Sequence, residues 1–200
     1  MSRVSRPHKS IHGRENLRPK ILVLCEGRDE RRYFNSLQRE FSFTGLEIPT
    51  TRFNTPRELV REAVRLKKEA RKTNPYDRIY VVVDHDNHPH QPEAFDQARA
   101  NNVTMIFSNP CFEYWYLLHF SPTTKLHPNC DSLITQLKTH LPGYKHGKDC
   151  FEEILPRIDA AVSNAKHICS EVRKAGSDNI YELSPFCNVW EIVNYIIELS

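Results

Sequence analysis

Five carboxylates, Glu26, Glu30, Asp84, Asp86 and Glu113, stand where a folded chain could gather them. Glu26 follows the apolar run Ile21-Leu22-Val23-Leu24-Cys25, and Asp84 and Asp86 follow a second run, Ile79-Tyr80-Val81-Val82-Val83. Runs of this kind read as strands buried on both faces, the pattern of a parallel sheet. Asp84 and Asp86 are two residues apart, so an extended backbone projects them to one side. Glu30 falls in the first turn of the helix after Glu26, and Glu113 in the first turn of a helix after Asn109-Pro110-Cys111. In an open parallel sheet, ligands bind beyond the carboxyl ends of the strands, where the strand order switches direction. An order 2-1-3-4 would make the two acid-terminated strands neighbours and bring Glu26, Asp84 and Asp86 to one spot. Carboxylates packed together repel, and a divalent cation relieves the repulsion. Hard oxygen ligands select Mg2+ or Mn2+. Such an ion polarises a phosphoryl oxygen and activates water, as phosphodiester hydrolysis requires. Each acid also has a plain structural explanation: a polar loop after a strand, or a helix N-terminal acid complementing the macrodipole.

Other groups surround this set. His85, His88 and His90 share the loop after the second run. A zinc site from one loop is conceivable, but no second segment with ligand spacing is evident, and His88 is better suited to shuttling protons or holding a phosphate. Tyr144, Lys145, His146 and Lys148 form a small basic loop, either a solvated turn or a phosphate-binding edge with Lys145 as its best candidate. Cys111 has no general base fixed beside it and reads as a packed or capping thiol. Trp115, Leu117, Leu118 and Phe120 read as core.

The elements that must position these residues alternate. A strand over 21–25 leads to a helix from about Asp29 to Phe41, and a weak strand lies within Leu46 to Phe53, where Pro49 suggests a sheet edge. Thr55, Pro56 and Glu58 make a capping box ahead of a helix that ends before Asn74-Pro75. A strand over 79–83, a short helix from about Pro92 to Ala100 and a strand over 103–107 follow. This alternation predicts a doubly wound, mostly parallel α/β sheet of about four strands. Beyond residue 108 helical patterns dominate, with a long apolar stripe from Phe151 to Val172 in which Pro156 marks a kink or restart. Asn188 and Glu191 resemble a second capping box. The division expected is a basic flexible arm over 1–17, an α/β core over 18–110 and a helical C-terminal part over 111–200 packed on that core.

Composition narrows the class. The 200 residues are 39 % hydrophobic and 26 % charged, ordinary for a globular chain able to bury its own core. No apolar run approaches the roughly 20 residues that span a bilayer, and the N-terminus lacks the apolar stretch of a secretory signal. The expectation is a cytoplasmic protein whose cysteines, with no C-x-x-C pair, are free thiols. The net charge of +3 is unevenly spread: Arg3, Arg6, Lys9, Arg14, Arg18 and Lys20 face one acid, Glu15, in the first twenty residues. Such an arm is either a solvated tail or a contact for phosphates.

Several of these segments resemble a known family. Leu24-Cys25-Glu26-Gly27, Glu30 and Val83-Asp84-His85-Asp86 resemble the TOPRIM signature, a glutamate after the first strand and an aspartate pair after the third. The stretch Ser108-Asn109-Pro110-Cys111-Phe112-Glu113-Tyr114-Trp115-Tyr116-Leu117-Leu118-His119-Phe120 resembles the hallmark of the RloB-like family, seen also in the AbiLii abortive-infection component. Tyr144-Lys145, the helix with Ala160, Ala161 and Ala165, and the segment Pro185 to Leu199 are similar to that family too, so the resemblance covers about residues 18–199. It implies a TOPRIM-like fold and a prokaryotic anti-phage defence protein with a metal-dependent nuclease site. It further implies nucleic acid as substrate and an ATPase partner of the RloA or AbiLi type. On the family's pattern Glu26, Asp84 and Asp86 are the metal ligands and Glu30 and Glu113 further catalytic residues. Lys145, His88 and Asn109 are the expected substrate contacts. Two alternatives stay open. One is a non-catalytic TOPRIM-fold partner or sensor subunit of an ATPase complex. The other is a phosphoacceptor domain with Asp84 as acceptor, although such domains want an acid pair after the first strand and a lysine after the last.

Overall fold

The computed structural model of the chain describes residues 19–85, 90–175 and 179–200. The basic arm over 1–17 lies outside them, as do Asp86 and His88.

Strand β1 (Ile21–Cys25) is buried along its whole length, and so is β3 (Arg78–Asp84) except at its two ends. They run parallel with Ile21 opposite Arg78 and Cys25 opposite Val82. Strand β4 (Thr104–Asn109) lies parallel on the other side of β3, with Asp84 opposite Ser108. Strand β2 (Leu46–Glu47) is short and pairs parallel at the outer edge of β1, the edge position that Pro49 suggested. Side chains alternate across the sheet. Ile21, Val23, Cys25, Tyr80, Val82 and Ile106 enter one apolar core, and Leu22, Leu24, Ile79, Val81, Val83, Met105 and Phe107 enter the other. A sheet buried on both faces has no polar positions to spare, which is why the strands read as unbroken apolar runs.

The sheet has five strands rather than the four expected, in the order β2-β1-β3-β4-β5. The addition, β5 (Phe186–Cys187), runs antiparallel to β4. Two residues are too few to show a period. Asn188 corrects a second expectation: it extends this edge instead of capping a helix. Its Oδ1 accepts the Phe107 amide at 2.7 Å and its Nδ2 donates to the Met105 carbonyl at 3.1 Å. The side-chain amide thus supplies the donor and acceptor that a further strand residue would have supplied.

Helices cover both faces. On one lie α1 (Arg28–Glu40), α4 (Glu113–Leu118), α5 (Cys130–Leu137), α6 (Phe151–Ile154), most of α7 (Ile158–Ala175) and α8 (Trp190–Glu198). On the other lie α2 (Pro56–Ala70) and α3 (Gln91–Ala100). The Thr55 cap that opens α2 forms: Thr55 Oγ1 accepts the Glu58 amide at 3.4 Å, and the reciprocal bond runs from the Thr55 hydroxyl to Glu58 Oε2 at 2.8 Å. Pro156 marks a restart, since a 3-10 turn over Leu155–Arg157 separates α6 from α7. Trp115, Leu117 and Leu118 are fully buried. His119, in the same stretch, is a core residue: its Nδ1–H donates to the Trp115 carbonyl at 2.9 Å, and burial lowers its pKa to about 4. No helix among the described residues is long and apolar enough to cross a membrane.

The free-thiol expectation is corrected at one pair. Cys111 and Cys130 form a disulfide between the entry to α4 and the first residue of α5. Cys25, Cys150, Cys169 and Cys187 are free and buried.

Candidate carboxylate site at the strand ends

The carboxyl end of β1 runs straight into α1 with a single glycine between Glu26 and the helix. The Glu26 amide donates to the Val82 carbonyl at 3.1 Å, carrying the β1–β3 pairing one residue past the strand. Gly27 is the residue before the first turn, and a Cβ there would overlap Glu30 Oε2 and stand 2.8 Å from Glu30 Cδ. The Glu30 carboxyl folds back over the helix entrance into the space beside Gly27, so a larger residue there would displace the glutamate tip. Glu30 is 6 % exposed, and its pKa rises to about 7. Burial is the largest cause. Its own backbone amide opposes the rise, and the negative charges of Glu113, Glu26 and Asp29 add to it. Four carboxyl groups from β1, α1 and α4 are thus close enough to feel one another.

Asp84 closes β3 at the same edge of the sheet. Since Cys25 is opposite Val82, Glu26 stands level with Val83, one residue short of Asp84. The His85 amide donates to the Ser108 carbonyl at 2.9 Å, so β3 stays paired to β4 past the acid. By strand alternation Asp84 falls on the face that α1 and α4 cover. Its Oδ1 is sealed from solvent, and its charge adds to the rise that burial causes in the Cys187 thiol pKa.

Glu113 enters from α4 and is held. Tyr144 OH donates to its Oε1 at 2.8 Å, and His146 Nδ1 lies 3.0 Å from the same oxygen. The Tyr144 hydroxyl titrates far above the ordinary tyrosine range because it is desolvated and faces the Glu113 charge. His146 Nδ1 also stands 3.9 Å from Asp29 Oδ2, which accepts the Gly147 amide at 2.9 Å, while Asp29 Oδ1 pairs with Arg32 at 3.1 Å. The loop over 144–148 is thereby tied to the first turn of α1. Neither Asp29 nor the tyrosine–glutamate bond is legible in spacing, because both depend on where this loop lands.

Two sets of possible ligand atoms come within 4.8 Å of one another among the described residues: Asp29, Glu113 and His146, and Cys111, Glu113 and Cys130. In the second the sulfurs are bonded to each other and supply no thiolate, so the 3.4 Å approach of Cys130 Sγ to Glu113 Oε2 is a contact without a proton to share. The first offers two hard oxygens and an imidazole. Glu26, Glu30 and Asp84 lie at the same edge but in neither set. Carboxylates with a raised buried member suit a hard cation such as Mg2+ or Mn2+, whose charge would remove the mutual repulsion.

The remaining expected residues divide. Lys145 is exposed beside the site, in the loop that holds Glu113. Asn109 is buried, with its Nδ2 donating to the Leu183 carbonyl at 2.9 Å. His85 is half-buried with its ring edge-on to Phe107, and the exposed His90 lies 3.6 Å from Glu93; neither belongs to a ligand set among the described residues.

No curated protein and no solved structure matches the chain. The mixed, mostly parallel five-stranded sheet with flanking helices is consistent with a TOPRIM-like doubly wound fold. The family model described as RloB-like protein matches residues 21–196, from the first residue of β1 into α8. The chain belongs to the RloB-like family.

Proposed function

We propose that this protein is a metal-dependent nuclease that hydrolyses phosphodiester bonds of nucleic acid, acting in prokaryotic anti-phage defence beside an ATPase partner of the RloA or AbiLi type. The observation that carries the reading is the convergence of Glu26, Asp29 and Glu113 on the buried Glu30, whose carboxyl is raised by burial first and by these charges in addition, at the strand edge where Asp84 ends β3. Family membership supports the defence setting.

In this reading Glu26, Asp84 and Asp86 hold Mg2+ or Mn2+. Bound there, the ion supplies positive charge to a phosphoryl oxygen and acidity to a water. The chain supplies the rest. Glu30 or Glu113 accepts a proton from the attacking water. Tyr144 and His146 fix Glu113 through Oε1, so that its orientation is set before substrate arrives. Lys145, exposed at the edge of the site, stabilises charge on the phosphate, and His88 is a second candidate for that role. Asn109, bonded to the Leu183 carbonyl, positions the end of β4.

The test is cleavage of mixed DNA and RNA substrates with Mg2+ or Mn2+ by wild type, Glu26→Ala and Asp84→Ala, alone and with the ATPase partner. Cleavage that requires the metal and both acids is expected, and it would identify the nucleic acid that is cut. No cleavage in any condition, with both variants still binding the partner, would move the assignment to a non-catalytic partner or sensor subunit. One observation favours that second reading: Asp29 and Glu113 already accept hydrogen bonds from the chain itself, as structural acids do.

A further inference from the structure

We infer that the outer face of α1 is a track for a nucleic-acid backbone leading to the carboxylate site. Arg28, Arg31, Arg32, Asn35, Gln38 and Arg39 line an open cavity of about 550 Å³ along this helix. Their spacing places them on one stripe, while Tyr33, Phe34 and Leu37 of the opposite face are buried in the core. The stripe begins at Arg28, two residues from Glu26, and the eleven steps from there to Arg39 cover roughly 16 Å at about 1.5 Å each. That is the length of about five nucleotide steps along one strand of a duplex, at roughly 3.4 Å per step.

The charge on this stripe is held in place but not neutralised. Among the described residues Arg32 is the one stripe arginine paired with a carboxylate, Asp29. Arg31 donates to Thr50 Oγ1, Arg32 also donates to the Gly147 carbonyl, and Arg39 Nη2 donates to Ser36 Oγ at 2.9 Å. Thr50, Gly147 and Ser36 are neutral partners: they orient the guanidinium groups, and at Arg31 and Arg39 they leave the charge uncompensated by a carboxylate ion pair among the described residues. Oriented guanidinium forks match phosphate oxygens two at a time, which flexible ammonium groups do not. The bond from Arg32 to Gly147 joins the stripe to the loop carrying Lys145 and His146, so the positive surface continues to the mouth of the site. A polyanion with regularly spaced phosphates fits a straight row of forks that ends at clustered acids, because a metal-loaded acidic site accepts the same phosphates. The inference rests on the nuclease reading for its direction, but its test reads binding, not cleavage.

The experiment is fluorescence anisotropy of a labelled 20-nucleotide single strand and of a 20-base-pair duplex, with Ca2+ in place of Mg2+ and across a salt series. Wild type is compared with the Arg31→Gln/Arg39→Gln double variant and with Arg173→Gln/Lys174→Gln on α7 as a control. Thermal melts verify that all three are folded. The double variant is expected to bind at least tenfold more weakly and to lose one to two phosphate contacts' worth of salt dependence, about 0.7–0.9 in log–log slope per contact. The control is expected to match wild type. Binding by the double variant within twofold of wild type and with the same slope would overturn the track while leaving the nuclease reading intact. Loss of binding in the double variant, together with no cleavage by wild type in Mg2+ or Mn2+, alone or with the ATPase partner, would uphold the track and sink the nuclease reading. Wild type that binds neither oligonucleotide at low salt, or binds polyglutamate as tightly through the same arginines, would overturn the assignment to nucleic acid.

Discussion

Glu30→Gln raises the stability of the metal-free protein by about 3 kcal/mol at pH 8 and leaves it unchanged at pH 4. The sign follows from the direction of the shift. The carboxyl titrates near 4.5 when unfolded and near 7 in the fold. Below 4.5 both states are protonated and the group contributes nothing. Between 4.5 and 7 the unfolded chain ionises first, so the folded state falls behind. Above 7 the folded state carries a buried charge beside Glu113, Glu26 and Asp29, and the full cost applies. Glutamine keeps the shape and removes the charge. Chemical denaturation at the two pH values, after exhaustive chelation, reads the difference. Adding Mg2+ at pH 8 should stabilise wild type more than the variant, because the cation and the substitution relieve the same repulsion. An equal effect of Glu30→Gln at both pH values would mean that neither burial nor its acidic neighbours raise the Glu30 carboxyl in the fold.

Reducing the Cys111–Cys130 bond destabilises the fold by about 3 kcal/mol, the loop-closure entropy expected for a cross-link across roughly twenty residues. The bond joins the turn that presents Glu113 to the helix beside it, so a looser turn also loosens the glutamate. The chain has six cysteines, so protein prepared without reductant should titrate four thiols once denatured and six after reduction. In the native state the four are buried, and burial raises each thiol pKa, that of Cys150 to about 12, so they should react slowly. Six thiols in the unreduced, denatured protein would show that the pair does not close.

What could be read from the residues was the part governed by local chemistry. Unbroken apolar runs announced β1 and β3, and Thr55-Pro56 with Glu58 announced α2, because each signal lies within a few adjacent residues. The neighbourhood of the two acid-terminated strands followed from the expected strand order, which the sheet bears out over its first four strands. What could not be read was tertiary. The strand β5 is two residues long, and Asn188 works on it through a side chain that looks, in sequence, like a helix cap. Tyr144 and His146 read either as part of a solvated basic turn or as part of a phosphate-binding edge. They reach Glu113 only because the loop over 144–148 folds back onto α1 and is held there by Asp29 and Arg32. The disulfide was invisible for a similar reason: a spacing of nineteen residues between cysteines carries no motif. Much of the family hallmark turned out to serve packing. Trp115 and His119 lie in the core and Asn109 is bonded to Leu183, while Glu113 is the member that reaches the acids.

In the nuclease reading the acids at the strand ends hold a divalent cation. Isothermal titration of Mn2+ and Mg2+ into the metal-free protein, with wild type, Asp84→Asn and Glu26→Gln compared, tests it most directly. Saturable binding by wild type is expected, with its loss or strong weakening in both variants and all three proteins folded. Absence of binding in wild type, or binding that neither substitution weakens, would contradict it.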